Sequence, residues 1–311
     1  MNKVLITAPY MLREREKVEQ LFSGFSLNLD WAEVKERLGE NELLSVIGKY
    51  DGIICGDDRF TESVIDAATR LRVIVKWGTG IDSIDKEYAN KRNILVYNTP
   101  DAFAAPVADT TLGMILYFSR GLKQNDDIMK MGGWDKPQGY ALSEKKIGII
   151  GLGNIGTAVA KRLCVFGTTI FANDIVAKDP SIIEKYCIHM VSKEEIYEQC
   201  DFITLHCDLN ESSHHLLNGK IFAEMKNTAY IINTSRGPII KEDDLIEALR
   251  EGIIAGVGLD VFEHEPLPAD SPLRKMSNAI LSSHNSNSSP VHWQNVHENS
   301  IKMLLKGLGI E

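Results

Sequence analysis

What is scarce in this 311-residue chain narrows its function before any motif is read. Cysteine is rare: Cys55, Cys164, Cys187, Cys200 and Cys207 are the full set, and none forms a CxxC pair. Such an odd, scattered set argues against a disulfide-stapled secreted scaffold and fits a reduced, cytoplasmic protein. No apolar run approaches the roughly 18 residues that span a bilayer. The N-terminal stretch Met1–Leu12 lacks the h-region and small-residue cleavage site of a signal peptide, so it reads as a first strand. Positive charge is in deficit, with 34 Lys+Arg against 43 Asp+Glu and a formal net charge of −9. That balance argues against nucleic acid or an anionic membrane as partner.

Several site signatures are missing too. Gly219-Lys220 stands outside any GxxxxGK[ST] phosphate-loop frame, and no GxSxG nucleophile elbow occurs. The pairs His214–His215, His284–His292 and His292–His297 have no Cys or carboxylate to complete a ligand spacing, so no metal is expected. Solenoid-period repeats and low-complexity tracts are absent as well.

What remains is an ordinary globular composition, 44% hydrophobic and 25% charged, at a length that suggests two domains. Short apolar strand candidates at 3–7, 51–55, 72–76 and 94–97 alternate with helix-like stretches, one of them opening at the N-cap candidate Thr61. A long helix is predicted from Phe103 to Arg120, with Pro106 near its start, where proline is tolerated. The polar stretch Lys123–Ser143 interrupts the rhythm. Strands at 146–150, 169–173, 201–206, 228–233 and 253–259 follow, with helices at 154–166 and 241–250, and Pro290–Gly307 reads as a terminal helix. This βαβα alternation predicts two α/β units with parallel sheets and helices on both faces.

The strongest local signal is Gly151-Leu152-Gly153-Asn154-Ile155-Gly156, directly after the strand and opening a helix. Gly151 permits a tight turn, Gly153 lets backbone approach a pyrophosphate, and Gly156 lets the helix pack on the strand. The helix N-terminus at Asn154 and Ile155 offers unpaired N–H groups and a positive dipole end to phosphate. A second strand then ends at Asp174, where a ribose-binding carboxylate belongs, and its charge favours NAD over NADP.

Three further polar residues follow strand candidates: Arg236, Glu265 and His284. In open α/β sheets ligands gather outside the carboxyl ends of strands. An imidazole that moves a hydroxyl proton, a carboxylate that orients it, and an Arg that grips a carboxylate suit hydride transfer between nicotinamide and a C–OH/C=O pair. Taken singly, each of the three is equally well explained as a structural or solvated residue.

Together with Lys76–Asp82 (KWGTGID), Asn98-Thr99-Pro100, GLGNIG, Asn233–Gly237 (NTSRG) and Gly258–Pro266 (GLDVFEHEP), they make a pattern. In order and spacing the chain resembles the D-isomer-specific 2-hydroxyacid dehydrogenases. The resemblance implies two doubly wound parallel-sheet domains: a Rossmann NAD-binding domain, 101–284, inserted into a flavodoxin-like substrate domain, 1–100 plus 285–311. It implies that Arg236, Glu265 and His284 are catalytic, and that Asp260 holds the nicotinamide carboxamide. His206 and Thr234 join Asp174 and the glycine loop at the cofactor. The turn Gly78-Thr79-Gly80, with Arg236, would bind the carboxylate of a small anionic 2-hydroxy or 2-keto acid, and a homodimer is implied.

Some positions depart from the family pattern. The histidine is followed by the polar run Asn285–Ser289 rather than a small apolar stretch, and Asp208 stands where many members have Pro. Asp109 replaces the more usual Glu, and Arg59 alone survives as a candidate cation where phosphoglycerate-specific members offer Arg and Ser. Phosphoglycerate, glycerate and the glyoxylate/hydroxypyruvate class therefore all stand as expected substrates. The rival reading is an NAD(H)-sensing, corepressor-like interaction protein on the same fold.

Overall fold

The computed structural model describes residues 1–310. The chain divides into two compact units, Met1–Phe103 with the segment from Ser288 onward, and Ala104–Asn287.

The first unit is built on five parallel strands: β1 (Asn2–Ile6), β2 (Leu27–Trp31), β3 (Gly52–Cys55), β4 (Val73–Lys76) and β5 (Leu95–Tyr97), in the order β2-β1-β3-β4-β5. Order 2-1-3-4-5 is the flavodoxin-like arrangement. The Ile/Val-rich β3 and β4 are buried at every position, as expected of parallel strands covered on both faces. The terminal helix Pro290–Leu308 belongs to this unit, and two glycines let it lie close to the sheet. A Cβ on Gly307 would sit 2.4 Å from Val73 Cγ2, and one on Gly52 would sit 2.8 Å from Leu304 Cδ1.

Within that helix His297 is fully buried. Trp77 Nε1–H donates to His297 Nδ1 at 2.8 Å, and Nε2 faces Glu14 Oε2 at 3.2 Å. Because an indole can only donate, Nδ1 is the acceptor and Nε2 carries the proton. Burial lowers the His297 pKa below the ordinary 6.5, against the opposing pull of Glu14. A depressed folded value means that the unfolded chain takes up a proton first as pH falls below 6.5. Stability is therefore full above that value and is lost on acidification towards the folded pKa, by up to about 1.4 kcal/mol per pH unit per proton. His297→Gln keeps both hydrogen bonds without the titration. Its melting temperature is expected to fall less than that of the wild type between pH 7.5 and 5.5; equal slopes would contradict the assignment.

The second unit carries seven parallel strands: β6 (Lys146–Ile150), β7 (Thr169–Asn173), β8 (Ile188–Met190), β9 (Phe202–Leu205), β10 (Tyr230–Asn233), β11 (Gly256–Leu259) and β12 (Ala279–Leu281). Their order is β12-β11-β10-β9-β6-β7-β8, a Rossmann sheet in which the chain reverses direction across the sheet between β6 and β9. The crevice at such a switch point is where open α/β sheets bind ligands. Gly148 lets the helix Lys193–Gln199 lie against β6, since a Cβ there would meet Ile196 Cγ2 at 2.3 Å. Among the described residues no helix is long and apolar enough to cross a membrane.

Two features differ from the sequence expectation. The polar stretch after the long helix Ala104–Ser119 contains a further helix, Leu122–Lys130, whose exposed surface carries the ion pairs Lys123–Asp127 and Asp126–Lys130 at i,i+4 spacing. No residue of it is buried, and its low apolar content hides it in the sequence although its few apolar residues fall on one face. The strands β2 and β8 are also absent from the sequence expectation, although β2 alternates Leu27, Leu29 and Trp31 with Asn28 and Asp30 as a half-buried strand does; β8 is only three residues long.

Candidate active site

The glycine loop is a cradle whose shape side chains would destroy. Gly151 has φ +94°, and a Cβ there would lie 2.4 Å from Cys207 N and 2.5 Å from His206 C, in the segment that follows β9. A Cβ on Gly156 would lie 2.1 Å from Gly151 O, which fixes how closely the helix Asn154–Val165 approaches the turn. At Gly153 the same position is open space. A closed back and an open middle are what a pyrophosphate seated on a helix N-terminus requires.

Asp174 follows β7 and is already engaged. It accepts the N–H groups of Leu152 (2.7 Å) and Val176 (2.8 Å), and Lys178 Nζ lies 2.9 Å away. Burial works to raise its pKa, but Lys178 and the two amides outweigh it and leave the value lowered. The carboxylate is thus ionised and tied to the glycine loop. After β9, His206 Nε2 pairs with Thr204 Oγ1 at 2.8 Å, while its Nδ1 is buried with no hydrogen-bond partner among the described residues. Burial brings its pKa down to about 3, so the ring is neutral at physiological pH. An orphaned ring nitrogen beside the glycine loop is the kind of group a bound cofactor would satisfy. Thr234 is buried, and its Oγ1 lies 3.1 Å from Thr111 Oγ1. Thr111 gives its own proton to Val107 O, so Thr234 is the donor of that pair.

Arg236, Glu265 and His284 follow β10, β11 and β12, which are neighbours in the sheet. Glu265 Oε2 lies 3.0 Å from His284 Nδ1, and Glu265 Oε1 accepts the Phe262 N–H at 2.9 Å. Both side chains are largely covered, at 13% and 20% exposure, so the pair is shielded from water without being sealed. His284 takes φ +50°, a conformation that costs a non-glycine residue on the order of 1 kcal/mol. Asp260 holds it there. Its carbonyl accepts the His284 N–H at 2.8 Å, and its fully buried carboxylate accepts the N–H groups of Asn285 (2.8 Å) and Ser286 (2.9 Å). The polar run after the histidine is therefore where this carboxylate finds its donors. Asn233 plays a parallel part on β10, accepting from Ser235 and donating to Arg236 O at 2.8 Å.

In the other unit the turn after β4 places Gly78 at φ +115°. The Gly78 N–H donates to Thr99 Oγ1 at 3.1 Å and the Thr99 N–H donates to Gly78 O at 2.9 Å, so the Gly78 amide is engaged within the protein. Two residues here went unassigned from sequence, Thr99 and Lys76. The Lys76 ammonium is buried, 3.3 Å from Asp57, and would lie 3.7 Å from a Cβ on Gly78. The only hint of it was a lysine ending an otherwise apolar strand.

A family model described as "D-isomer specific 2-hydroxyacid dehydrogenase, NAD binding domain" matches residues 112–286. A glyoxylate reductase of Thermofilum pendens is 39% identical over 262 residues, 82% of this chain and 76% of the relative. The chain belongs to the D-isomer-specific 2-hydroxyacid dehydrogenases. A hydroxypyruvate reductase of Thermotoga maritima is 33% identical over 310 residues, 97% of this chain and 100% of that one. Among solved structures, a D-lactate dehydrogenase from Aquifex aeolicus complexed with NAD and lactic acid superposes with a TM-score of 0.88 at 25% identity, covering 99% and 96% of the two chains. This member of the family is an NAD-dependent oxidoreductase acting on a small 2-hydroxy or 2-keto acid.

Proposed function

We propose that this dehydrogenase reduces small, unphosphorylated 2-keto acids of the glyoxylate/hydroxypyruvate class to 2-hydroxy acids, of D configuration where the product is chiral. The observation that carries the reading is the Glu265–His284 pair, held at the end of β12 by Asp260. Bound NADH supplies the hydride. His284 Nε2 gives a proton to the carbonyl oxygen as it becomes a hydroxyl, and Glu265 stabilises the imidazolium that must be present beforehand. Arg236 grips the substrate carboxylate and polarises the reacting oxygen, and the Thr79 and Gly80 amides are assigned to the carboxylate as well. For the cofactor we assign Gly151, Gly153, Asn154, Ile155, Gly156, Asp174, His206, Thr234 and Asp260, and for the roles of the units, substrate binding to the first and NAD binding to the second.

The class of substrate is favoured by charge; by name the relatives divide between glyoxylate reductase, hydroxypyruvate reductase and D-3-phosphoglycerate dehydrogenase. In the segment after β3, where Arg59 is the candidate cation and is exposed, Asp57 pairs with Lys76 and Asp58 is buried on the Thr7 hydroxyl and the Leu38 and Gly56 N–H groups, so two carboxylates stand beside that arginine in the chain. The test is NADH oxidation with glyoxylate, hydroxypyruvate, pyruvate and 3-phosphohydroxypyruvate. The first two are expected to give the highest kcat/KM; a preference for the phosphorylated acid would overturn the substrate assignment. Five free thiols support a cytoplasmic protein. The exposed Leu122, Met129, Met131 and Trp134, in and just after the helix Leu122–Lys130, support pairing into a homodimer, which sedimentation would test.

A further inference from the structure

Close to the catalytic pair stands a second histidine–carboxylate pair that the reaction does not use. His215 Nε2 lies 2.5 Å from Glu263 Oε1. The other oxygen of Glu263 accepts the Glu242 N–H at 2.8 Å, and the Glu263 N–H donates back to Glu242 Oε2 at 3.2 Å. The segment bearing His215 is laced to the chain that follows Arg236. The His215 N–H donates to Pro238 O at 2.8 Å, and the Lys241 N–H donates to Leu217 O at 2.9 Å. Gly237 completes the seating, since a Cβ there would lie 1.9 Å from both C and O of Phe262.

These contacts all bear on one short piece of backbone, Phe262-Glu263. That piece carries the Phe262 N–H on which Glu265 Oε1 rests, while Glu265 Oε2 reaches His284 Nδ1. We propose that Glu263, clamped by His215 and by the Glu242 amide, is a positioning residue that sets the orientation of Glu265 and through it the His284 ring. The inference rests on reading His284 and Glu265 as the proton-moving pair.

The physical argument is one of transmitted displacement. A carboxylate fixed by a single backbone donor moves with that donor, and a hydrogen bond weakens steeply once its length and angle depart from the preferred range. Without the clamp, the Phe262-Glu263 peptide keeps the Gly237 packing, the buried Phe262 side chain and the Glu263 N–H bond to Glu242, but loses the hold on the Glu263 carboxylate. The surroundings of the clamp are acidic. Glu242 and Glu263 face one another, and burial together with the Glu263 charge holds the Glu242 pKa above the usual carboxylate range, against the opposing pull of the Glu263 N–H and His264. Asp243 adds negative charge from the same helix start. Lys241 is occupied by Asp244 at 2.8 Å, and His215 is the side chain in direct contact with the Glu263 carboxylate.

The experiment compares wild type with Glu263→Ala, Glu263→Gln and His215→Gln. It measures kcat and KM for the preferred 2-keto acid, NADH affinity by fluorescence, and the His284 titration by NMR without substrate. Glu263→Ala is expected to lower kcat at least tenfold, with NADH affinity within twofold of wild type. The His284 midpoint should move to lower pH as Glu265 loses its aim. Glu263→Gln retains an acceptor for the Glu242 N–H and is expected to recover most of the loss; His215→Gln should fall between them. A merely structural role would lower the melting temperature yet leave the His284 titration in place. Folded Glu263→Ala protein with kcat within twofold and an unmoved titration overturns the proposal. If wild type reduces none of the acids, the substrate assignment fails separately, and the NMR titration still decides the role of Glu263.

Discussion

His284→Ala is expected to lower kcat about 10³-fold while NADH affinity stays within a few-fold of wild type. A positioned acid or base contributes roughly 10²–10⁴ to a reaction of this kind, and in the proposed mechanism the imidazole is the group that supplies the proton in reduction and receives it in oxidation. Its backbone, by contrast, is held by Asp260 through main-chain groups of residues 284–286, which alanine retains. Removing the side chain should even ease the positive-φ strain on that side of the loop only slightly, since alanine pays a similar penalty. The measurement is steady-state reduction beside fluorescence titration with NADH. A variant that keeps near-wild-type kcat would sink the assignment. Glu265→Gln makes the companion case. Loss of the negative charge 3.0 Å from Nδ1 destabilises the imidazolium, so the pH at which reduction begins to fail should move downward. Reduction needs His284 protonated, and a lower pKa means that the proton is lost earlier as pH rises.

The second large effect is expected at the glycine loop. Gly151→Ala forces a Cβ to within 2.4–2.7 Å of the backbone atoms Cys207 N, His206 C and His206 O, none of which is a flexible side-chain tip. The residue also sits at φ +94°, outside the range an alanine tolerates. Either the turn opens or the segment after β9 retreats, and both displace the helix N-terminus and His206 together. NADH affinity is expected to fall at least tenfold, equivalent to about 1.4 kcal/mol, along with a lower melting temperature for the NAD-binding unit. Gly153→Ala is the control: its Cβ meets nothing in the protein, so the fold should be unaffected, and any loss of affinity there reports on approach to the pyrophosphate. If Gly151→Ala binds NADH as wild type does, the close packing of loop and β9 segment has no bearing on the cofactor.

Much of the architecture was legible because its signals are local or periodic. Alternating apolar runs marked most of the strands, and the switch from a buried strand to GLGNIG marked the nucleotide loop. Among the segments that escaped, β8 and the helix Leu122–Lys130 are short or bury little, whereas the helices Lys193–Gln199 and Gly219–Glu224 bury Ile196, Tyr197 and Phe222 but are too short for a helical period to stand out. At the site, residue types were visible but their engagements were not. Asp174 could be read as a carboxylate after a strand, yet not as one already holding Leu152, Val176 and Lys178. Gly78 was one of three equivalent-looking amides until Thr99, 21 residues on, took its N–H.

The sequence by itself determined the α/β class, the glycine loop between a buried strand and a helix, and the residue types that follow the strands, because each depends on neighbours along the chain. Only the tertiary structure decided which other groups meet: Asp260 with the amides of Asn285 and Ser286, and His215 with Glu263. Those pairings bridge 25, 26 and 48 residues of chain. A hydrogen bond is set by separations of about 3 Å, and no spacing rule in a sequence carries that distance across two strands and the loops between them.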